Sequence, residues 1–160
     1  MLQKITLSIT CVIILLTFNQ CSTLKEPIIA PTVSSNALQG GELNGAGEEG
    51  FNQRVLRITS LAHWNETLKK LSIVNPFESS FDLNQVDFEN MNLYLYTDKI
   101  RTTAGYELTI SNGEMNDNNL KFIIHIKRPT GNVAEVITQP LLIFTTPKTT
   151  TEQRFSFNEL

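Results

Sequence analysis

Hydrophobic and polar positions alternate with a period of two through most of the second half of the chain. The stretch 120–127 places its apolar side chains mainly on one face and its lysines and histidine on the other. Comparable strands are predicted at 54–60, 87–98, 105–111, 134–148 and 153–160. Because parallel strands need long crossovers and the links here are short, the sheets are predicted to be antiparallel.

A single α-helix is predicted at 60–72. Its apolar residues are spaced three or four apart and share one face: Leu61, Trp64, Leu68 and Leu71. Ser60 provides an N-cap, and Pro76 prevents the helix from continuing. The predicted fold class is α+β, mostly β, with antiparallel sheets in a sandwich or open-barrel-like arrangement and one N-terminal α-helix. Pro140 lies inside a predicted strand, so a bulge, an edge or a break is expected there.

Residues 1–20 follow a different pattern, in which Lys4 is the one charge and residues 5–18 are largely apolar. This stretch is shorter than the roughly 20 apolar residues that a membrane-spanning helix needs. It is typical of a secretory signal peptide, with a basic start and an apolar centre. A buried strand and an uncleaved membrane anchor are the alternatives. Residues 1–20 are therefore predicted to be an export signal.

Cys21 follows directly, and the stretch TFNQCSTLKE resembles the processing site of a bacterial lipoprotein. In that class the thiol is diacylated and becomes the new N-terminus, although Phe18, Asn19 and Gln20 stand where leucine and two small residues are usual. Cys11 would leave with the signal, so Cys21 would have no partner for an internal disulfide. Two acyl chains hold a protein stably at a membrane. The resemblance implies a membrane-anchored lipoprotein of the bacterial cell envelope, with the outer membrane as its expected location.

Residues 21–50 are rich in glycine and lack aromatic side chains, which predicts a flexible, mildly acidic linker after the lipidated cysteine. The folded domain is predicted at 51–160, where eleven Lys and Arg residues accompany twelve Asp and Glu residues. A nearly neutral domain without a basic stripe argues against nucleic-acid binding.

Groups suited to catalysis or metal binding are sparse in the predicted domain. His63 and His125 could act as a general base or a metal pair, but one position on the helix surface and one on the sheet surface are favoured. Zinc needs three or four ligands with matched spacing. The acidic stretch 81–90 offers oxygens to calcium, but it lacks the spacing and glycine of an EF-hand. The expectation is no enzymatic activity, no cofactor and no metal.

The stretch 101–106 is predicted to form a tight corner at the head of a strand. Its residues are Arg101, Thr102, Thr103, Ala104, Gly105 and Tyr106. Gly105 can adopt positive φ, and the threonine hydroxyls can bond nearby amides. The ring of Tyr106 would fix the corner onto the core. Such a corner can hold a binding surface, to which Arg128 is added as a candidate contact.

Tyr94 and Tyr96 are further candidates for a contact surface, since they lie opposite Leu93 and Leu95 in a predicted strand. Exposed tyrosines carry apolar area with a polar tip and can serve as partner contacts. The alternatives are that the sheet is covered on both faces, or that one of the tyrosines packs under the helix beside Trp64.

The order of several short motifs resembles the C-terminal domain family of the protease-complex subunit PrcB. In that family a helix with a tryptophan precedes an Asp-Phe strand entry, a Thr-Gly-Gly-Tyr corner and a late Thr-Gln-Pro strand. The matching positions here are Trp64, Asp87-Phe88, Thr103-Ala104-Gly105-Tyr106 and Thr138-Gln139-Pro140, with Ala104 in place of the first glycine. The resemblance covers nearly all of 51–160. It implies a small surface lipoprotein domain that associates with and stabilises a secreted protease complex without being the protease.

A second resemblance gives an alternative function. The stretches RTTAGYEL and KRPTG are similar to loops of chagasin-like cysteine protease inhibitors, which implies that loops 101–106 and 128–131 would enter a protease cleft. Arg101 replaces the expected proline, and the helix is foreign to that fold. The favoured expectation is a non-catalytic, lipid-anchored envelope protein that works through protein–protein contact. Its expected partner is an exported protease or envelope complex.

Overall fold

The computed structural model describes residues 31–45, 47–116 and 118–160. Its elements are β1 (Thr32–Val33), β2 (Asn36–Asn44), β3 (Arg54–Ile58), α1 (Leu61–Leu71), a 3₁₀ turn (Leu83–Gln85), β4 (Met91–Thr97), β5 (Glu107–Ile110), β6 (Gly113–Asn116), β7 (Asn119–Lys127), β8 (Thr138–Pro147) and β9 (Glu152–Glu159). The predicted α+β, mostly β fold with one short α-helix is confirmed for these residues. No helix within these ranges is long and apolar enough to cross a membrane. The predicted signal peptide and Cys21 lie outside them.

The strands form two sheets. The four-stranded sheet has the order β2–β8–β4–β3, and in the five-stranded sheet β7 pairs with β5, β6 and β9 while β1 pairs with β6. The pairs are antiparallel except β7–β9, which is parallel and departs from the prediction. The reason is that β8 already has β2 and β4 on its two sides. The short link after β8 therefore leads β9 into the other sheet instead of into a hairpin.

The four-stranded sheet is covered on both faces, which explains the nearly continuous burial of β4 and β8. One face packs against α1 and the segment after it, in a helix-side core that includes Ile58, Trp64, Leu71, Leu93, Leu95 and Ile143. The other face packs against the five-stranded sheet, in an inter-sheet core that includes Tyr94, Tyr96, Leu108, Ile124, Ile126, Leu142 and Phe144. The result is a sandwich with a third, helical layer on one side.

Helix α1 begins where the sequence predicts. The Ser60 hydroxyl oxygen accepts a hydrogen bond from the backbone N–H of His63 at 3.2 Å and caps the helix. Trp64 and Leu71 are buried against the four-stranded sheet, as expected. Leu61, which shares their helix face in the sequence pattern, is 53% exposed because it starts the helix and does not reach the core.

The prediction of a flexible linker up to residue 50 is wrong for β2. Residues 36–44 pair along β8, and Leu43 is only 5% exposed in the helix-side core. The pairing relies on backbone hydrogen bonds, which Gly40 and Gly41 can make without a side chain. The prediction failed because it rested on composition. Glycines that are typical of a linker lie here in a strand, and this strand covers an otherwise exposed edge of β8. The folded unit extends upstream of residue 51.

Pro140 lies inside β8, opposite Glu42 of β2, without the expected bulge or break. The Pro140 carbonyl oxygen accepts a hydrogen bond from the Asp98 N–H on the side of β4. A residue's amide and carbonyl point to the same side of a strand, so the missing N–H of the proline also faces β4. The ladder with β4 ends at Thr97, opposite Leu141. Proline is tolerated because its absent donor faces the end of that ladder.

Candidate functional site

The corner 101–106 adopts a fixed backbone shape. Gly105 has φ of +93°, as its position at the corner predicts. The amides of Gly105 and Tyr106 both donate to one carboxylate oxygen of Glu42, at 2.9 and 3.1 Å. The Ala104 N–H donates to the carbonyl of Ala134. The corner is therefore held from two sides, by β2 and by the segment before β8.

Loop 128–131 lies against the corner. A Cβ placed on Gly105 would come within 3.2 Å of the Cβ of Pro129. The loops that carry the second sequence resemblance are therefore neighbours in space.

Arg101 is buried and is the centre of an ion-pair network. It is 6% exposed, and its Nε donates to Oδ2 of Asp98, which is fully buried, at 2.7 Å. Asp98 Oδ1 also accepts from the Tyr96 hydroxyl at 2.9 Å and from the Gln53 amide at 3.1 Å. The Tyr106 ring lies over the guanidinium, 4.3 Å from its carbon, which adds a cation–π contact. Arg101 therefore fixes the corner to the core and is not the exposed contact residue that the sequence suggests.

Glu159, at the end of β9, is the second carboxylate of this network. Its Oε1 accepts from Nη1 of Arg101 at 2.7 Å and from Nε of Arg128 at 3.1 Å, and Lys99 lies 3.6 Å from Oε2. The hydrogen bond from Arg101 is the main reason why the pKa of Glu159 is lowered. Burial alone would lower the pKa of Arg101, but the hydrogen bonds to Glu159 and Asp98 outweigh it and raise the value. The network thus ties β9 to the corner with every charge paired.

Several exposed apolar side chains lie in the segments beside the corner. Arg101 forms a backbone bridge with Thr138, so the residues before β8 run alongside the corner. Ile100 and Ile137 adjoin that bridge, and Val133 and Val136 lie in the segment before β8. We call these four exposed side chains the corner face: Ile100 (46% exposed), Val133 (37%), Val136 (45%) and Ile137 (50%). Exposed apolar residues grouped around one rigid element are typical of a protein contact site.

Of the alternatives for the tyrosines, the structure shows the one in which the sheet is covered on both faces. Tyr94 is 6% exposed and Tyr96 is fully buried, and both lie in the inter-sheet core rather than outward or under the helix. The Tyr94 hydroxyl donates to Gln153, and burial raises the pKa of both phenols. Buried and exposed side chains do not alternate along β4, because both faces of the strand are covered. Neither tyrosine is therefore available to a partner.

The other predicted corner residues are placed as follows. Thr102 and Gly105 are exposed, and Thr103 and Ala104 are half-buried. Within the described residues no hydrogen bond involves a hydroxyl of Thr102 or Thr103, contrary to expectation, although the Thr103 carbonyl accepts from the Thr138 hydroxyl at 3.3 Å. Arg128 is exposed, with 66% of its side chain accessible, and it remains a surface candidate.

The two histidines do not meet. His63 is on α1, which covers the outer face of the four-stranded sheet, while His125 is on β7 in the other sheet. Within the described ranges no group of three or more metal-ligating side chains is found. In the acidic stretch, Asp82 and Asp87 accept hydrogen bonds from the backbone and side chains of neighbouring residues, which explains them as turn caps.

Sequence reasoning missed the residues that hold the corner, above all Glu42 and Asp98. Glu42 lies in the stretch that composition assigned to the linker, so no local signal identified it. Asp98 had a signal: an acid directly after a long apolar strand and three residues before an arginine permits a local ion pair. Comparison of the chain with models of known families, with curated proteins and with solved structures gave no match.

Proposed function

We propose that the protein is a non-catalytic, lipid-anchored envelope protein that assembles or stabilises an exported protease-type complex through the corner face. The observation that carries this proposal is that exposed apolar side chains are attached to a rigid backbone. Ile100 and Ile137 are exposed, and the backbone beneath them is fixed by the Arg101–Thr138 bridge and the buried ion pair with Asp98. A preformed apolar surface binds a partner with little cost in ordering.

The anchoring part of the proposal depends on Cys21. Its position after an apolar stretch supports diacylation of the thiol, which would hold the domain at the envelope. Cells fed with labelled palmitate should label the full chain, and Cys21→Ser should abolish the label and move the protein to the soluble fraction. Equal labelling of the Cys21→Ser variant would contradict the anchor.

The contact part can be tested by photo-crosslinking in cells. A photoreactive amino acid at Val136 should give a discrete adduct with one envelope partner. The matched control is Lys121, an exposed residue of β7. It lies where β7 pairs with β6, away from the corner. No adduct from residue 136, or the same adduct from residue 121, would contradict a contact through the corner face.

Inhibition of a papain-type cysteine protease is the second candidate function. The observation in its favour is the contact between Gly105 and Pro129, which brings loops 101–106 and 128–131 to one end of the sandwich. The full chain at micromolar concentration should then slow such a protease, and Thr102→Asp or Thr130→Asp should abolish the effect, since both residues are exposed. Unchanged protease activity would remove this candidate and leave the assembly proposal standing.

A further inference from the structure

A cleft opens on one side of the sandwich, where each sheet ends in an outer strand. Strand β3 pairs with β4 alone and β9 pairs with β7 alone, so the two sheets part between β3 and β9. The opening has a volume of about 440 Å³ and is lined by residues that include Arg57, Asn92, Tyr94, Lys148, Gln153 and Phe155. We call it the side cleft. Small-molecule sites commonly have volumes of roughly 300–1,000 Å³.

Two cations on the rim of the side cleft have no carboxylate partner. Among the described residues, no acidic side chain lies within ion-pair distance of the Arg57 guanidinium or the Lys148 ammonium. Glu152, the acid that also lines the cleft, is paired with Arg154 at 3.1 Å. Lys148 makes a small contribution to the lowered pKa of Asp87, which is chiefly due to the hydrogen bond from Asn90. The rim therefore keeps an excess of positive charge.

The side-chain oxygen of Gln153 in the side cleft is occupied, whereas Lys148 and Arg57 keep free donors. The Tyr94 hydroxyl donates to Oε1 of Gln153 at 2.8 Å, and the Thr146 hydroxyl donates to the same oxygen at 2.9 Å, so this acceptor is occupied. Lys148 uses one of its three N–H donors on the carbonyl of Phe88. Donors to spare remain on the ammonium of Lys148 and on the guanidinium of Arg57.

Asn92 lines the same cleft and is an unsatisfied group. It is 6% exposed, and its Oδ1 is buried without a hydrogen-bond partner. Its Nδ2 also has no partner among the described residues. Buried amides in folded proteins are nearly always paired, and an unpaired one is costly. A ligand group that donates a hydrogen bond to Oδ1 of Asn92, such as a hydroxyl, would offset that cost.

We propose that the side cleft binds a small molecule that carries both an oxyanion, a phosphate or a carboxylate, held by Arg57 and Lys148, and a hydroxyl that donates to Oδ1 of Asn92. Hydrogen bonds between a charged donor and an oxyanion are among the strongest in proteins. The cleft is formed by β3, β4, β9 and the link before β9, and its lining does not include the corner face. The binding is therefore independent of the proposed assembly function.

The test is to titrate small anions into the full chain and to follow binding by calorimetry and NMR. The chain is kept in detergent, in a phosphate-free buffer of low ionic strength. The probes are inorganic phosphate, glucuronate as a carboxylate, and glucose as the neutral counterpart of glucuronate. Phosphate or glucuronate should bind at one site and shift the amide signals of residues 57, 92 and 148. Binding of phosphate alone assigns a phosphate ligand, and binding of glucuronate alone assigns a carboxylate ligand.

Charge-matched variants decide between a site and general attraction. Arg57→Gln and Lys148→Gln should each weaken binding about tenfold, since each removes a charge-assisted hydrogen bond. Lys69→Gln, on the exposed last turn of α1, removes the same charge elsewhere and should change nothing. The proposal is overturned if neither anion binds, if glucose binds as tightly as glucuronate, or if Lys69→Gln weakens binding as much as Arg57→Gln.

Discussion

The corner and the side cleft are both rich in charged and polar residues, but they use them in opposite ways. At the corner, Arg101 is ion-paired with Asp98 and Glu159, and Glu42 receives the amides of the turn. In the side cleft, Arg57 and Lys148 have no carboxylate within ion-pair distance among the described residues, and Asn92 has an unpaired amide oxygen. Paired polar groups stabilise a shape, whereas unpaired ones leave capacity for a ligand. The two regions should therefore respond differently to mutation.

The largest effect is expected for Arg101→Met. Removing this guanidinium leaves the fully buried Asp98 carboxylate without its cation, and breaking a buried pair costs about 3–5 kcal/mol. The free energy of unfolding, measured by urea denaturation, should fall by that amount. Arg128→Met is the matched control, because Arg128 also bonds to Glu159 but is exposed, and it should cost about 0.5 kcal/mol or less. Equal losses would show that the buried network does not stabilise the corner.

A smaller loss is expected for Gly105→Ala. The added Cβ would be strained by the positive φ and would press against Pro129 at 3.2 Å, so we expect a loss of about 1–3 kcal/mol in the free energy of unfolding. Gly131→Ala separates the two causes, because Gly131 has a φ of +82° but nothing within 4 Å of its Cβ position. Thermal unfolding of both variants measures the difference. If Gly131→Ala costs as much, packing against loop 128–131 does not hold the corner.

Acid should weaken the corner through Glu159. Its pKa in the folded protein is lowered below its ordinary value of 4.5, chiefly by the hydrogen bond from Arg101. Its contribution is therefore fully present above pH 4.5 and is lost as the pH falls through the lowered value. The difference in unfolding free energy between the native chain and Glu159→Gln should be largest near neutral pH and shrink in acid. A difference that is constant with pH would contradict the ion pair.

The smallest effect on stability is expected in the side cleft. Arg57→Gln removes an exposed charge that has no carboxylate partner among the described residues, so the free energy of unfolding should change by less than about 0.5 kcal/mol. Urea denaturation in the absence of added anions checks this. A loss comparable to that of Arg101→Met would mean that Arg57 has a structural partner and that the two regions are not opposites.

The sequence predicts the elements better than it predicts their surroundings. The helix at α1, its Ser60 cap and the strands β3, β4, β5, β7, β8 and β9 follow from local spacing. The packing of other elements on both faces of the four-stranded sheet does not follow from local spacing. Tyr94 and Tyr96 are buried because of this packing. The parallel pairing of β9 with β7 also depends on which edges other strands leave free.

The candidate site shows the same limit. The positive φ of Gly105 follows from a glycine at a corner. Its hydrogen-bond partner Glu42 comes from 63 positions earlier in the chain, in a glycine-rich stretch whose composition is typical of a linker. Ion pairs between distant residues, such as Arg101 with Glu159, leave no periodic signal.

The most direct test of the account is the recovery of a partner from detergent-solubilised membranes by the full chain and two double variants. Val136→Asp with Ile137→Asp places two charges on the corner face, and Thr109→Asp with Lys121→Asp places acids on the exposed outer positions of β5 and β7. We predict that the native chain and the second variant recover one partner in fixed stoichiometry, and that the first variant loses it while remaining folded. Equal recovery by both variants would contradict assembly through the corner face.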